Sequence, residues 1–297
     1  MNSVANNYNR KKIVFSHGKG IYLFTNEGEK YVDLAAGIAV NLLGHSNKDL
    51  INALNAQSRK LWHVSNLYEI EEQVTLANKL TSCSFAHKVF FCNSGAEAVE
   101  CTIKAARRYH FSKGKPEKTE IITFKGSFHG RTLGTIAAAS NSSHLEGFGE
   151  PLKGFVSIER NDINQLKKAC NEKTAAILIE PVQGEGGINV FDREFINSLQ
   201  VIAKEMDLLI LFDEVQCGVG RTGKIFAYQW FDIKPDVMAL AKGLGGGFPI
   251  GACLMRDDIA EALIPGTHGS TFGGNPLAMA VGNCCLLYTS PSPRDNR

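Results

Sequence analysis

The sequence predicts an α/β fold with a mostly parallel sheet and helices on both of its faces. From residue 88 onwards, short apolar segments alternate with segments of helical periodicity, which is the pattern of repeated β-α units. The expected strands are 88–92, 120–124, 155–158, 175–180, 208–212 and 237–241, and the expected helices among them are 94–111, 162–171 and 193–205. Because ligands bind at the carboxyl ends of parallel strands, the residues that follow each strand are the candidates for function.

The bulk properties are those of an ordinary globular protein. With 297 residues, of which 44% are hydrophobic and 21% charged, the chain can form one or two domains. A net charge of +2 and the lack of any apolar run near ~18 residues give no indication of a nucleic-acid or membrane partner. The cysteines form no Cys-x-x-Cys pair, the histidines lack metal-ligand spacing, and the polar N-terminus lacks a secretory signal. We therefore expect a cytoplasmic protein with reduced thiols and no metal.

The N-terminal part precedes the repeated units. Residues 21–24 and 30–34 flank a turn with a glycine, which predicts a β-hairpin. Residues 36–45 are small and apolar, and we expect an irregular, packed segment there. Two amphipathic helices are expected at 47–60 and 69–82.

The first candidate site follows the strand at 88–92. Ser94 and Glu97 have the spacing of a capping box, so a helix begins here. Gly95 would leave backbone N–H groups open at that helix N-terminus, which is an anion-binding arrangement. A well-capped helix without a ligand explains the same residues equally well.

Three later strands also end in polar residues. Phe128 and Arg131 follow one strand, and together they can stack on a flat ring and bind a carboxylate. Glu180 and Glu185 lie among glycines at the end of the expected strand 175–180. Asp213 ends a buried strand, where a carboxylate is costly unless a cation is near. Surface loops and a long β-α loop are the alternatives for the first two.

Lys242 ends the last apolar run, and four glycines lie within the five residues after it. A lysine in such a place can become a Schiff-base nucleophile if desolvation lowers its pKa. An isolated Lys-Gly pair is more typical of a side chain that extends to water. The interpretation therefore depends on the other strand ends.

Two classes of nucleotide-binding protein fit this sequence poorly. Residues 218–224 match G-x-x-x-x-G-K and residues 208–214 resemble a Walker B strand. However, Ile225 stands where the P-loop needs Ser or Thr, and the glycine motif follows the acidic strand instead of preceding it. The glycines at 243–247 miss the last glycine of a dinucleotide motif, and no acidic ribose partner follows.

One cofactor accounts for all the strand ends. Pyridoxal 5'-phosphate needs a Schiff-base lysine, an acid at its pyridine nitrogen, a stacking ring and a phosphate site. Lys242, Asp213 and Phe128 fit the first three needs, and the helix start at 94–97 fits the fourth. Gln216 could hydrogen-bond the ring hydroxyl.

The chain resembles the class III pyridoxal-phosphate aminotransferases. The motifs that carry the resemblance lie at 93–98, 127–132, 180–185, 212–223 and 241–244, within a likeness that runs from about residue 10 to about 284. The resemblance implies a fold-type-I transferase and a homodimer with active sites shared between subunits.

The resemblance also implies roles for individual residues. Lys242 and Asp213 would be catalytic, with Lys242 moving a proton between the substrate carbon and the cofactor. The implied cofactor-binding residues are Gly95, Ala96, Phe128, Asp213, Gln216, Lys242 and the partner subunit's Thr271. The implied substrate-binding residues are Arg131 for an α-carboxylate, Ser270, and Glu185 as a gate that pairs with an arginine outside this chain.

Residues 37–45, 62–68 and 268–276 narrow the resemblance to the acetylornithine branch of this family, which belongs to arginine biosynthesis. That branch implies transfer of the terminal amino group of N2-acetyl-L-ornithine to 2-oxoglutarate, giving N-acetyl-L-glutamate 5-semialdehyde and L-glutamate. Branches that use ornithine, succinylornithine or 4-aminobutyrate are the alternatives.

The resemblance implies a domain division. Residues 1–49 would be the N-terminal segment of a small domain and 50–284 the large cofactor-binding domain. Family members continue into a further part of the small domain, which we expect to be missing here. Residues 285–297 turn abruptly to Ser, Pro and charge and resemble a translated sequencing adapter, so we expect a non-native tail. A natural disordered tail is the alternative.

Overall fold

The computed structural model describes residues 3–139 and 141–289. Its strands are, in chain order, β1 (Phe15–Lys19), β2 (Tyr22–Thr25), β3 (Lys30–Val32), β4 (Lys88–Cys92), β5 (Glu120–Phe124), β6 (Phe155–Ile158), β7 (Thr174–Ile179), β8 (Val182–Gln183), β9 (Asn189–Val190), β10 (Leu209–Asp213), β11 (Val237–Leu240) and β12 (Gly251–Met255). Its α-helices are α1 (Ala36–Ala39), α2 (Lys48–Ser58), α3 (Glu71–Ser82), α4 (Gly95–Ser112), α5 (Leu133–Ala139), α6 (Ser142–Leu145), α7 (Ile163–Ala169), α8 (Arg193–Glu205), α9 (Asp257–Ala260) and α10 (Pro276–Thr289).

A seven-stranded sheet organises these elements, in the order β4-β12-β11-β10-β7-β5-β6. The pairs β11/β10, β10/β7, β7/β5 and β5/β6 are parallel, whereas β12 is antiparallel to both of its neighbours. The predicted mostly parallel sheet is therefore confirmed. Because β4 runs with the parallel strands, six carboxyl ends meet at one edge.

Alternate residues of each strand face opposite sides of the sheet, and each side has its own hydrophobic core. On one side, α4 packs against a cluster that includes Leu211 and Ala239. On the other side, residues of α3, α8 and α10 pack with Phe212 and Leu240. The helices thus cover both faces, as the sequence predicts.

The expected helices and strands are present with ends shifted by a few residues. The elements that were not predicted are β1, β8, β9, β12, α5, α6, α9 and α10. β12 is short and follows a glycine-rich loop, so its sequence carries little strand signal. The single turn α1 is not a regular helix, since φ is 48° at Ala36 and 60° at Ala39, and it lies in the segment 36–45 that was expected to be irregular. None of the helices at 3–139 and 141–289 is long and apolar enough to cross a membrane.

The domain division stays a prediction. Helix α10 runs on to Thr289, so the expected boundary after residue 284 lies inside a helix. Residues 290–297 of the expected tail lie outside the described residues.

A buried carboxylate fixes the chain beyond β10. Glu214 is fully buried, and it accepts hydrogen bonds from the backbone N–H groups of Ala227 (2.6 Å) and Tyr228 (2.7 Å). Burial raises the pKa of this carboxyl to about 8, although the two N–H groups favour its charged form. Glu214 therefore anchors the 3₁₀ turn at Ala227–Trp230 and holds the strand end at Asp213 in place.

Candidate active site

A cavity of about 450 Å³ opens at the edge where the strands end. The sequence-predicted site residues that line it are Gly95, Ala96, Phe128, Arg131, Glu185, Asp213, Gln216 and Lys242. Residues 247–250, which lead into the antiparallel strand β12, form part of its wall. The arrangement fits the rule that ligands bind at the carboxyl ends of parallel strands.

Lys242 lies directly beyond β11, at the start of the 3₁₀ turn Lys242–Leu244. Its φ of 44° is uncommon for a residue with a side chain, and such strain is often found at functional sites. Its amine has no hydrogen bond or salt bridge with any residue of the described chain. Burial lowers the pKa of Lys242, and the nearby charges of Asp213 and Glu185 oppose that effect only in part. A larger share of the amine is therefore in the nucleophilic form than for an exposed lysine.

Asp213 is 4% exposed and ends β10, beside β11. Its Oδ1 accepts a hydrogen bond from the N–H of Val215 at 3.0 Å, and its Oδ2 lies 2.8 Å from Nδ1 of His129. The imidazole is fully buried, which lowers its pKa, but the hydrogen bond and charge of Asp213, with the charge of Glu180, reverse this and raise the pKa above its usual value. His129 therefore supplies the cation that a buried carboxylate requires.

The N-terminus of α4 is built as the sequence predicts. Ser94 caps the helix by accepting from the N–H of Glu97, and the Glu97 carboxylate accepts from Ser94 Oγ and from the N–H of Asn93, each at 2.9 Å. The N–H groups of Gly95 and Ala96 have no intrahelical acceptor and no other partner among the described residues. They are available to an anion at the positive end of the helix dipole.

Only glycine fits at position 95. A Cβ there would lie 2.5 Å from Cγ1 of Val215, which is closer than real side-chain contacts allow. The glycine thus lets the start of α4 approach the strand end at Asp213. The anion-binding N–H groups and the buried carboxylate come to line one cavity.

Phe128 is positioned through its backbone. Its N–H donates to Oε1 of Glu180 at 2.7 Å, and the guanidinium of Arg131 lies 5.4 Å from its ring centroid. Glu180 is 5% exposed, and burial raises the pKa of its carboxyl to about 7. Glu180 also lines the cavity, so it joins the loop after β5 to the loop after β7.

Two candidate residues do not line the cavity. Ser270 lies behind the wall, where its Oγ accepts from Nδ2 of Asn93 at 3.2 Å and from the N–H of Gly273. Thr271 is exposed at the surface. Glu185 lines the cavity and has no salt bridge with any residue that the structure describes.

His129 and Glu180 are functional candidates to which the sequence argument gave no role. Both follow buried strands, which is the signal that selected Asp213. The role of His129 depends on a contact with Asp213, 84 residues away in the chain, and that of Glu180 on a contact with Phe128, 52 residues away, so no local pattern reveals them.

Comparison with known proteins places these features in a family. The Aminotransferase class-III family model matches residues 3–289. Acetylornithine aminotransferase from Agrobacterium fabrum is 57% identical over 277 residues, which are 93% of this chain and 69% of that protein.

Two solved structures are also similar. N-acetylornithine aminotransferase from Stenotrophomonas maltophilia is 40% identical, with a TM-score of 0.82, over 97% of this chain and 71% of that one. Ornithine aminotransferase from Toxoplasma gondii, with partial occupancy of pyridoxal phosphate at its active site, is 32% identical with a TM-score of 0.92, over 96% of this chain and 68% of that one.

We predict that replacing Glu180 by Gln changes how stability depends on pH. The pKa of Glu180 is about 7 in the folded protein against a usual 4.5, so its contribution is fully present below about pH 4.5 and is lost as the pH rises through 7. Gln keeps the acceptor for the N–H of Phe128 but does not titrate. Between pH 5 and pH 8, the wild type should lose about 1–3 kcal/mol of unfolding free energy relative to the variant.

Urea unfolding at pH 5, 6, 7 and 8 measures this difference. Glu172→Gln, at an exposed position, is the matched control and should follow the wild type. If the unfolding free energies of the wild type and the Glu180 variant change equally with pH, Glu180 does not titrate in this range.

Proposed function

This chain belongs to the class-III aminotransferase family, and from that premise we propose that it transfers the terminal amino group of N2-acetyl-L-ornithine to 2-oxoglutarate. The products would be N-acetyl-L-glutamate 5-semialdehyde and L-glutamate, a step of arginine biosynthesis. The observation that carries the proposal is one cavity that unites a half-buried amine, a buried carboxylate and an open helix N-terminus. The 57% identity to an acetylornithine aminotransferase supports the choice of donor.

The enzyme is a pyridoxal-phosphate-dependent transaminase, and its cavity fits that cofactor. The open N–H groups of Gly95 and Ala96 would bind the phosphate, and Phe128 would pack on the ring. Asp213 would pair with the pyridine nitrogen, Gln216 with the ring oxygen, and the Lys242 amine with the aldehyde carbon. When bound, the cofactor supplies an electron-withdrawing ring that makes a C–H bond of the attached substrate acidic.

The residues of the chain would then hold and transfer the protons of the reaction. Asp213 would hold a proton at the pyridine nitrogen, and the contact of 2.8 Å between its Oδ2 and Nδ1 of His129 keeps the carboxyl group in position for this role. Lys242 Nζ would take a proton from the donor carbon and return it to the cofactor side, as a general base and then a general acid. The lowered pKa of Lys242 suits this task, since the neutral amine is the base.

The substrate side of the cavity carries one cation and one carboxylate. Arg131 would bind the α-carboxylate of the donor. Glu185 would gate the second carboxylate of 2-oxoglutarate. Ser270 would act on substrate only indirectly, because its hydroxyl holds Asn93 in the cavity wall. Donor and acceptor would use the same site in turn, which predicts ping-pong kinetics.

The proposed homodimer is supported by an exposed apolar surface. Leu67 is 88% exposed and Phe272 is 59% exposed. Asn66 joins their segments by donating from Nδ2 to the carbonyl oxygens of Ser270 and Gly273. A surface of this kind is more typical of an interface than of a monomer. Thr271 lies within it, where it could reach the partner subunit's phosphate site.

We also infer a cytoplasmic location. All eight cysteines are free thiols, and disulfides are rare in reducing compartments. Fractionation of the source cells checks this inference.

Removing the amine at position 242 should abolish turnover. We expect purified wild type to be yellow with bound cofactor, and Lys242→Ala to lower kcat by about 10³-fold or more, because no other described amine lines the cavity. Steady-state transamination assays measure the loss. Lys173→Ala, at an exposed lysine, should leave kcat unchanged. A colourless wild type without cofactor would contradict the proposal.

A panel of donors tests the substrate. With 2-oxoglutarate as acceptor, kcat/KM should be at least about 10-fold higher for N-acetylornithine than for ornithine, succinylornithine or 4-aminobutyrate. The same protein sample and cofactor concentration serve all four donors. Equal values for ornithine and N-acetylornithine would remove the support for the narrower assignment and leave only the family.

The dimer prediction has its own test. Leu67→Asp places a charge in the exposed apolar surface, so it should shift the sedimentation coefficient from dimer to monomer and weaken cofactor retention. Val201→Asp is the control, because Val201 is 56% exposed on helix α8, away from this surface. A monomeric wild type would end the proposal of shared sites.

A further inference from the structure

A second cavity of about 470 Å³ adjoins the active-site cavity. Phe128, Arg131 and Glu185 line both cavities, so these three side chains separate the two spaces and face each of them. The remaining wall includes Ser142 and His144 of the short helix α6. A donor whose carboxylate binds Arg131 would place the rest of its α-carbon substituents at this wall.

The second cavity holds polar groups without partners in the described chain. Lys125 is neutralised by a salt bridge to Glu159. In contrast, Arg131 and Glu185 form no salt bridge with any described residue, and Nδ1 of His144 is buried with no hydrogen-bond partner among those residues. A buried polar atom that lacks a partner is rare in native proteins and calls for an explanation. A substrate group that fills the second cavity would provide the missing partner.

The surroundings of His144 favour its neutral form. Burial and the charge of Arg131 lower the pKa of the imidazole, and the charge of Glu185 opposes them in part. Its ring also packs edge-on against Phe128, with centroids 6.1 Å apart and planes at 89°. A neutral imidazole nitrogen suits a neutral amide, because the two can form a hydrogen bond without burying a charge.

We propose that His144 determines donor specificity, by hydrogen-bonding the amide of an acylated α-nitrogen while Arg131 binds the neighbouring carboxylate. The inference rests on the proposed function, since it concerns the donor of that reaction. The discrimination between an acylated and a free α-nitrogen then comes from the neutral imidazole, which hydrogen-bonds the amide.

Kinetics with two donors tests the proposal. N-acetylornithine carries the amide, and 4-aminobutyrate carries a carboxylate without any α-nitrogen. We expect His144→Leu to raise KM for N-acetylornithine by about 5–20-fold with kcat within about 2-fold, while kcat/KM for 4-aminobutyrate stays within about 2-fold. His144→Gln, which retains a hydrogen-bonding group, should recover most of the loss.

A measurement on the wild type does not depend on the folding of any variant. N-acetyl-L-norvaline has the acylated α-nitrogen but no terminal amine, so it can bind but cannot react. In the cofactor-loaded protein it should shift the imidazole NMR signals of His144, assigned by their absence in His144→Gln. Pentanoate, which lacks the amide, should leave these signals unchanged.

The outcomes separate this inference from the proposed function. If the wild type does not use N-acetylornithine but does use another donor, the proposed function fails. If the wild type uses N-acetylornithine and His144→Leu leaves its KM unchanged, the inference alone is wrong. If His144→Leu lowers kcat/KM equally for both donors, or if N-acetyl-L-norvaline causes no NMR shift, the role of His144 is structural and the inference is wrong.

Discussion

The site depends on the burial of a carboxylate at the end of β10. An unpaired charge at Asp213 would be costly, and His129 Nδ1 at 2.8 Å with the N–H of Val215 at 3.0 Å stabilises it. His129 comes from the loop after β5, so the ion pair joins two strand ends. Glu180, from the strand between them in the sheet, adds its charge to the imidazole and holds Phe128. One buried pair thereby fixes three loops around a single cavity.

The antiparallel strand β12 has a consequence for the site that a uniformly parallel sheet would lack. Its amino end lies at the edge where the other strands terminate, so the loop that leads into it crosses that edge. A Cβ at position 245 would lie 2.0 Å from the carbonyl oxygen of Phe248, so the chain can pass there only because residue 245 is a glycine. The glycines after Lys242 thus form a tight turn that supplies one wall of the cavity, besides leaving room for a cofactor.

The ionisable side chains of the cavity shift one another's pKa values through short-range contacts. Burial alone favours the neutral forms of Lys242, His129 and Glu180. The neighbours of Lys242 oppose this effect only in part, whereas those of His129 outweigh it. The pKa of His129 is raised, that of Lys242 is lowered, and that of Glu180 is raised to about 7. A cation, a base and a titrating acid therefore coexist in one cavity, which is the separation of roles that proton transfer needs.

The sequence by itself determined the α/β class, the strand ends and eight site residues that line the cavity, because strand-end chemistry depends on local order along the chain. It also predicted the capped start of α4, since Ser94 and Glu97 are three residues apart. Only the tertiary structure decided that His129 partners Asp213, that Glu180 positions Phe128, and that Ser270 lies behind Asn93. The tertiary structure also decided where β12 lies in the sheet and that a second cavity forms at His144. The physical reason is that these features arise from contacts between residues far apart in sequence, which no local pattern records.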